Sequence, residues 1–205
     1  MFELLQRGGP LMWLLMLLSV AALTIFLERL YHFQRATINT DDFLRGLRNA
    51  LSRGNVTEAL SICDSTPGPV ACIVKAAVLK RDRSRDEVRQ SMEDSGLMEV
   101  PRLEKHLAGL ATIAQISPLL GILGTTLGMM DAFAKVKASG NLLVTEISGA
   151  VEMALYTTAG GIAVGIVSYV FYNYLVRRVD GFVLEMERTA AVFLEFLSED
   201  RGRTP

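Results

Sequence analysis

An all-α membrane protein is the fold class that three observations on this chain of 205 residues predict. Half of the residues are hydrophobic while 21% are charged, and the two kinds are segregated along the chain. Three stretches, 8–27, 106–130 and 153–176, contain no Asp, Glu, Lys or Arg. At 1.5 Å per helical residue, each is long enough to cross about 30 Å of hydrocarbon. Between them the apolar residues recur at helical spacing, with none of the alternation that strands show. The expected architecture is three transmembrane helices extended by a helical domain outside the membrane.

The first span follows Arg7 and passes straight into Leu27-Glu28-Arg29-Leu30 without a small-residue cleavage site. Its apolar run is also longer than the core of a signal peptide, so it reads as a membrane helix. Orientation follows from the basic residues. Thirteen of the 21 Lys and Arg lie between Glu28 and Lys105, whereas the link between the second and third spans, 131–146, holds only Lys135 and Lys137. The large polar segment belongs in the cytoplasm, and Arg177 and Arg178 hold the end of the third span on the same side.

Within that segment the helix signals come in order. Thr40-Asp41-Asp42 caps a helix carrying Phe43, Leu44, Leu47 and Leu51, which ends near Gly54. Asn55-Val56-Thr57-Glu58 opens a second, stopped by Pro67-Gly68-Pro69, and residues 70–80 form a third. Ser84-Arg85-Asp86-Glu87 matches a capping box, and Val88, Met92, Met98, Leu103 and Leu107 recur along a mostly polar helix expected to run directly into the second span, with Pro101 as a possible kink. The tail from Asp180 to Phe196 carries Phe182, Met186, Val192 and Phe193 and is also expected to be helical.

The second span has one small face. Ala114, Ser117, Gly121, Gly124, Thr125 and Gly128 are spaced by threes and fours, so they share a sector of the helix. In lipid such a face admits another helix closely, because association there depends on packing and interhelical hydrogen bonds. The third span repeats the pattern with Ala154, Thr158, Gly161, Gly165, Ser168 and Tyr172, with Thr157 at its edge. Hydroxyls in such helices often bond only to their own carbonyls. Four of them, Thr125, Thr126, Thr157 and Thr158, at comparable depth exceed what packing requires and can line a polar path. Glu152, just before the third apolar run, is the one carboxylate with a claim on the membrane interior, since Glu28 and Asp131 stand at span ends. It serves either a proton path or an outer-interface position.

Gly8-Gly9-Pro10, Leu27-Glu28-Arg29, Ser117-Pro118-Leu119-Leu120-Gly121-Ile122-Leu123-Gly124-Thr125 with Gly128-Met129, and Ala154-Leu155-Tyr156-Thr157-Thr158-Ala159 with Gly161 and Tyr172-Asn173 stand in this order along the chain. Together they resemble the ExbB/TolQ members of the MotA/TolQ/ExbB proton-channel family over nearly its whole length. The resemblance implies a ring, commonly a pentamer, in a bacterial inner membrane, enclosing the single membrane helix of an ExbD/TolR-like partner. Proton flow through it would energise a TonB/TolA-like transducer. By the same resemblance Thr125 and Thr158 line the ring's interior, and the titrating carboxylate is an aspartate of the partner. Two departures stand out: Gly165-Ile166-Val167-Ser168 lacks a proline found in many members, and the family's glutamate position falls at Met153, one residue after Glu152.

With that orientation the expected organisation is a periplasmic N-terminus and first transmembrane helix over 1–34 and a cytoplasmic helical domain over 35–105. A second transmembrane helix (106–133), a short periplasmic link (134–146), a third transmembrane helix (147–176) and a cytoplasmic C-terminal helix and tail (177–205) follow. Gly121, Gly124, Gly128, Gly161 and Gly165 are expected to serve helix packing, and Thr125, Thr157, Thr158 and Glu152 the proton path or ring lumen. A non-conducting oligomeric scaffold is the alternative, favoured if the small faces serve assembly alone. A flagellar-motor stator would have four spans. No nucleophile and base pair, phosphate loop or metal-ligand spacing points to an enzyme, a cofactor or a metal. No basic footprint points to nucleic acid. Cys63 and Cys72 read as reduced thiols.

Overall fold

The structure is a computed structural model that describes residues 9–139 and 144–203. Seven helices follow one another among the described residues: α1 (Gly9–Ala36), α2 (Thr40–Ser52), α3 (Val56–Ser65), α4 (Pro69–Leu79), α5 (Arg85–Glu104), α6 (Leu107–Ser139) and α7 (Val144–Arg203). The fold is all-α, and α1, α6 and α7 each contain a stretch long and apolar enough to cross a membrane. Residues 1–8 of the expected N-terminal segment and 140–143 of the expected link lie outside the described residues. The described residues group into two compact units, one of 9–28 with 106–139 and 144–175, the other of 29–105 with 176–203.

In the first unit α1 packs on α7 through side chains. Met12 and Leu15 lie over Gly160, and the rings of Phe26 and Phe171 stack at 4.0 Å. The opposite face of α1 is turned outward, with Leu17 68% and Val20 55% exposed. Large apolar side chains thus face away from the unit while Ser117, Thr157 and Ser168 are buried within it, the distribution expected where the surrounding solvent is lipid.

The second unit has the opposite distribution. Leu47, Ala59, Val70, Ile73, Val74, Ala77, Val78, Val88 and Met92 are essentially inaccessible, together with Phe193 of α7. Three of its helices, α2, α3 and α5, are capped by side chains. Asn55 accepts from the Glu58 N–H at 3.2 Å, and Ser84 from the Glu87 N–H at 3.3 Å. Each cap satisfies an amide that the first helical turn leaves without an internal acceptor. Pro69 occupies the first position of α4, where its missing N–H costs nothing. Gly68 before it has φ +115°, and a β-carbon there would lie 2.5 Å from the Ala36 carbonyl oxygen. Of the two free cysteines Cys63 is buried, and burial together with the Asp64 carboxylate pushes its thiol up to about 11.

Two expectations need correction. The cap of α2 is Asn39, not Thr40: Asn39 accepts from the Asp42 N–H, and Thr40 begins the helix with its hydroxyl bonded to Glu185. The long polar helix does not run into the second span. It ends at Glu104, and His106 takes φ +68° before α6 begins. A left-handed residue just past the last turn is a common helix stop, and His is among the side chains that tolerate it. The His106 Nδ1 lies 3.2 Å from Glu28 Oε2. The tail is helical, as expected. The third span and the tail are one helix of 60 residues, unbroken at Gly165–Ser168, with Phe182 and Phe193 buried in the second unit.

Candidate functional site

The two small faces meet each other within the first unit. On α6, Ala114, Ser117, Gly121, Gly124 and Gly128 are buried; on α7, Ala154, Thr157, Gly161, Gly165 and Ser168 are. A β-carbon at Gly161 would fall 2.5 Å from the Ser117 carbonyl oxygen and 2.8 Å from the Gly121 Cα. One at Gly165 would fall 2.6 Å from the Pro118 ring, and one at Gly124 would fall 2.4 Å from the Thr157 methyl. The backbones therefore touch along about three turns, a closeness available only to residues without side chains. A short link between antiparallel spans makes the pairing intramolecular, so these stripes are already occupied within a single chain.

At the half-exposed edge of this seam stand Thr125 and Thr158, their hydroxyl oxygens 3.1 Å apart. Thr158 also reaches the carbonyl of Gly121 on the facing helix at 2.9 Å and that of Ala154 on its own helix at 3.2 Å. Thr125 reaches the carbonyls of Ile122 at 2.8 Å and Gly121 at 3.4 Å. Each hydroxyl has one proton and can accept as well as donate. Two protons face three carbonyls and each other, so rotation about the Cβ–Oγ bonds exchanges hydrogen bonds without moving a heavy atom. Such a pair can relay or orient, but neither group can hold a charge at ordinary pH.

The other expected residues are placed differently. Thr157 is 1% exposed, lies against Gly124, and donates to the Met153 carbonyl at 2.8 Å. Thr126 is exposed and donates to the Leu123 carbonyl at 2.8 Å. Glu152 is half-buried on α7, six residues before Thr158, while the neighbouring Met153 side chain reaches Gly9 at the start of α1. Ser117, at the centre of the expected stripe, bonds the Ile113 carbonyl at 2.7 Å and offers its own carbonyl to the approach of Gly161.

A model of the MotA/TolQ/ExbB proton channel family matches residues 65–188, a span containing the whole glycine seam and the Thr125–Thr158 pair. The chain belongs to this family. It is similar to an ExbB homolog of Methanothermobacter thermautotrophicus, 25% identical over 186 residues, which cover 90% of this chain and 66% of that protein. It is also similar to the biopolymer transport protein ExbB of Aquifex aeolicus, 39% identical over 85 residues, covering 42% of this chain and 57% of that one. A third relative, the biopolymer transport protein ExbB of Neisseria meningitidis, is 24% identical over 190 residues, with 84% and 85% covered. The chain spans about two thirds of the length of the first. As a family member it is a membrane subunit of the proton-channel, energy-transducing kind, and the seam of α6 and α7 is where hydroxyls come together in its apolar helices.

Proposed function

We propose that this chain is a stator subunit of the bacterial inner membrane. It assembles into a homo-oligomeric ring, a pentamer by its resemblance to the ExbB/TolQ members, with the N-terminus periplasmic and residues 35–105 and 177–205 cytoplasmic. The ring encloses the single membrane helix of an ExbD/TolR-like partner, and proton flow past that helix drives work on a TonB/TolA-like transducer. The observation that carries this reading is the Thr125–Thr158 contact of 3.1 Å at the half-exposed edge of two apolar helices. The glycines alone bring the backbones together, and the two hydroxyls stand where a partner can reach them, at the edge of that contact.

A proton relay also needs a group that binds and releases a proton, which threonine does not. In this reading the titrating carboxylate belongs to the partner's helix, and the threonine pair holds its hydrogen bonds or the water beside it. Glu152 adds a second titrating site only if it lies on the path; as an interfacial residue it tolerates loss of charge.

The scaffold reading draws on a specific observation too. Both hydroxyls bond carbonyls of the seam itself, and the Thr158 bond to Gly121 ties the two helices together. The double variant Thr125→Val, Thr158→Val decides between them, with Thr125→Ser, Thr158→Ser as the control that keeps the hydroxyls. The valine variant is expected to lose proton-motive-force-dependent function, the serine variant to retain much of it, and both to purify as assembled complexes. Full function in the valine variant leaves the scaffold as the answer.

A further inference from the structure

Among the described residues one carboxamide within the three uncharged stretches, that of Gln115, meets no hydrogen-bond partner, while the other, Asn173, donates to the Tyr169 carbonyl. Gln115 stands three positions from Pro118, the midpoint of the uncharged stretch 106–130, which places it within about 5 Å of the middle of the span. It is exposed, and among the described residues its carboxamide meets no hydrogen-bond partner. The amide offers two donors and an acceptor oxygen, and hydrocarbon satisfies none of them. The threonines of the same helix differ, because each donates to a carbonyl of its own helix. Whatever covers Gln115 must come from outside the chain.

The helix geometry says on which side. Gly109 of α6 faces Ile25 of α1, and Gly121 faces Thr158 and Gly161 of α7. Gln115 is six residues from each, so it projects about 120° away from both contacts. It lies only about 80° round the helix from Thr125 and about 15 Å along it, on the side away from α1. A second copy presenting α7 at this level would not satisfy the amide. Gly165 approaches the Ala114 carbonyl, and the exposed side chains of α7 at that height are Ile162, Ala163, Ile166 and Val167.

We propose that Gln115 is a second polar seat for the helix enclosed by the ring, hydrogen-bonding a hydroxyl or amide side chain of that helix about ten residues along from the group that meets Thr125. This rests on the ring reading above. The seat would fix the height and rotation of the enclosed helix without taking part in proton transfer, since an amide does not titrate.

The test uses the full chain co-expressed with an ExbD/TolR-like protein. A photo-reactive amino acid is placed at position 115 in one version and at position 125 in another, and Gln115→Leu and Gln115→Asn are purified beside the wild type. Cross-links to the partner from both positions are expected. Gln115→Leu should retain the partner on the order of 3- to 20-fold less well, the range for one interhelical hydrogen bond in a membrane, with Gln115→Asn in between and the ring intact. A cross-link from 125 with only lipid or a second copy captured from 115 overturns the seat and leaves the ring reading standing. Capture of the partner from neither position overturns both. Undiminished retention in Gln115→Leu overturns the seat even if the cross-link forms.

Discussion

The two units of this chain solve the same packing problem for two solvents. In the unit holding α2 to α5, water drives apolar side chains inward. Leu47, Val74 and Ala77 are fully buried, and α2, α3 and α5 each carry a side-chain cap that satisfies a first-turn amide. In the unit holding α6 and the first half of α7 the surrounding hydrocarbon gives no reason to hide leucine. Leu119 is 62% exposed and Ile166 60%, and the close contact between α6 and α7 is made largely by glycine, alanine and hydroxyl side chains. Hydrophobic burial holds one unit; backbone proximity and hydrogen bonds hold the other.

That contrast is broken most severely at Gly161. A leucine there would drive its β-carbon into the Ser117 carbonyl and the Gly121 backbone, neither of which can rotate away. Gly161→Leu is expected to abolish assembly of the membrane complex, read as loss of the intact species on gel filtration in detergent. Gly149, whose β-carbon would meet nothing, should accept alanine with no change. If Gly161→Leu assembles normally, the close backbone seam is not what holds the unit.

Matched leucines sharpen the comparison next. Leu47 is 0% exposed in its unit, and its truncation leaves a cavity as well as removing buried apolar area. Leu47→Ala should cost about 2–5 kcal/mol, measured by denaturant unfolding of the purified protein in detergent. Leu119→Ala, on the outward face of α6, should change that unfolding by less than about 0.5 kcal/mol. Equal costs at the two positions would mean that the outward face of α6 is covered by something other than lipid or detergent.

Much of this was readable from the residues. The three spans showed because charge is excluded from hydrocarbon, and the caps at Asn55 and Ser84 showed because polar side chains before a helical run have few other uses. The small faces of α6 and α7 were visible as spacings of three and four, but a spacing does not say which helix fills it. Their mutual contact became evident only with the antiparallel pairing, in which Gly161 meets Gly121 and Gly165 meets Pro118. The helix stop at His106 was hidden because neither glycine nor an adjacent proline marks it; the left-handed turn is held by a histidine beside Glu28. Asn39 was missed as a cap because three polar residues after it are nearly as suitable. The continuity of α7 was obscured by its change from apolar to charged at Arg177, a change of solvent and not of backbone.

The smallest effect compares one hydroxyl in each unit. Ser84 accepts from the Glu87 N–H and donates to its carboxylate at 3.0 Å, so Ser84→Ala leaves a first-turn amide to water and should cost about 1 kcal/mol. Thr112 on the outward face of α6 donates to the Ala108 carbonyl at 2.8 Å. That carbonyl is also placed to accept the backbone N–H four residues on, as in any α-helix, so Thr112→Val removes a bond without stranding an acceptor. The valine even trades a hydroxyl for a methyl on a face that meets hydrocarbon. Thr112→Val should therefore be neutral within about 0.5 kcal/mol, or slightly stabilising, in the same unfolding measurement. A loss as large as that of Ser84→Ala would show that the Thr112 hydroxyl, one turn from Gln115, serves a contact outside the chain.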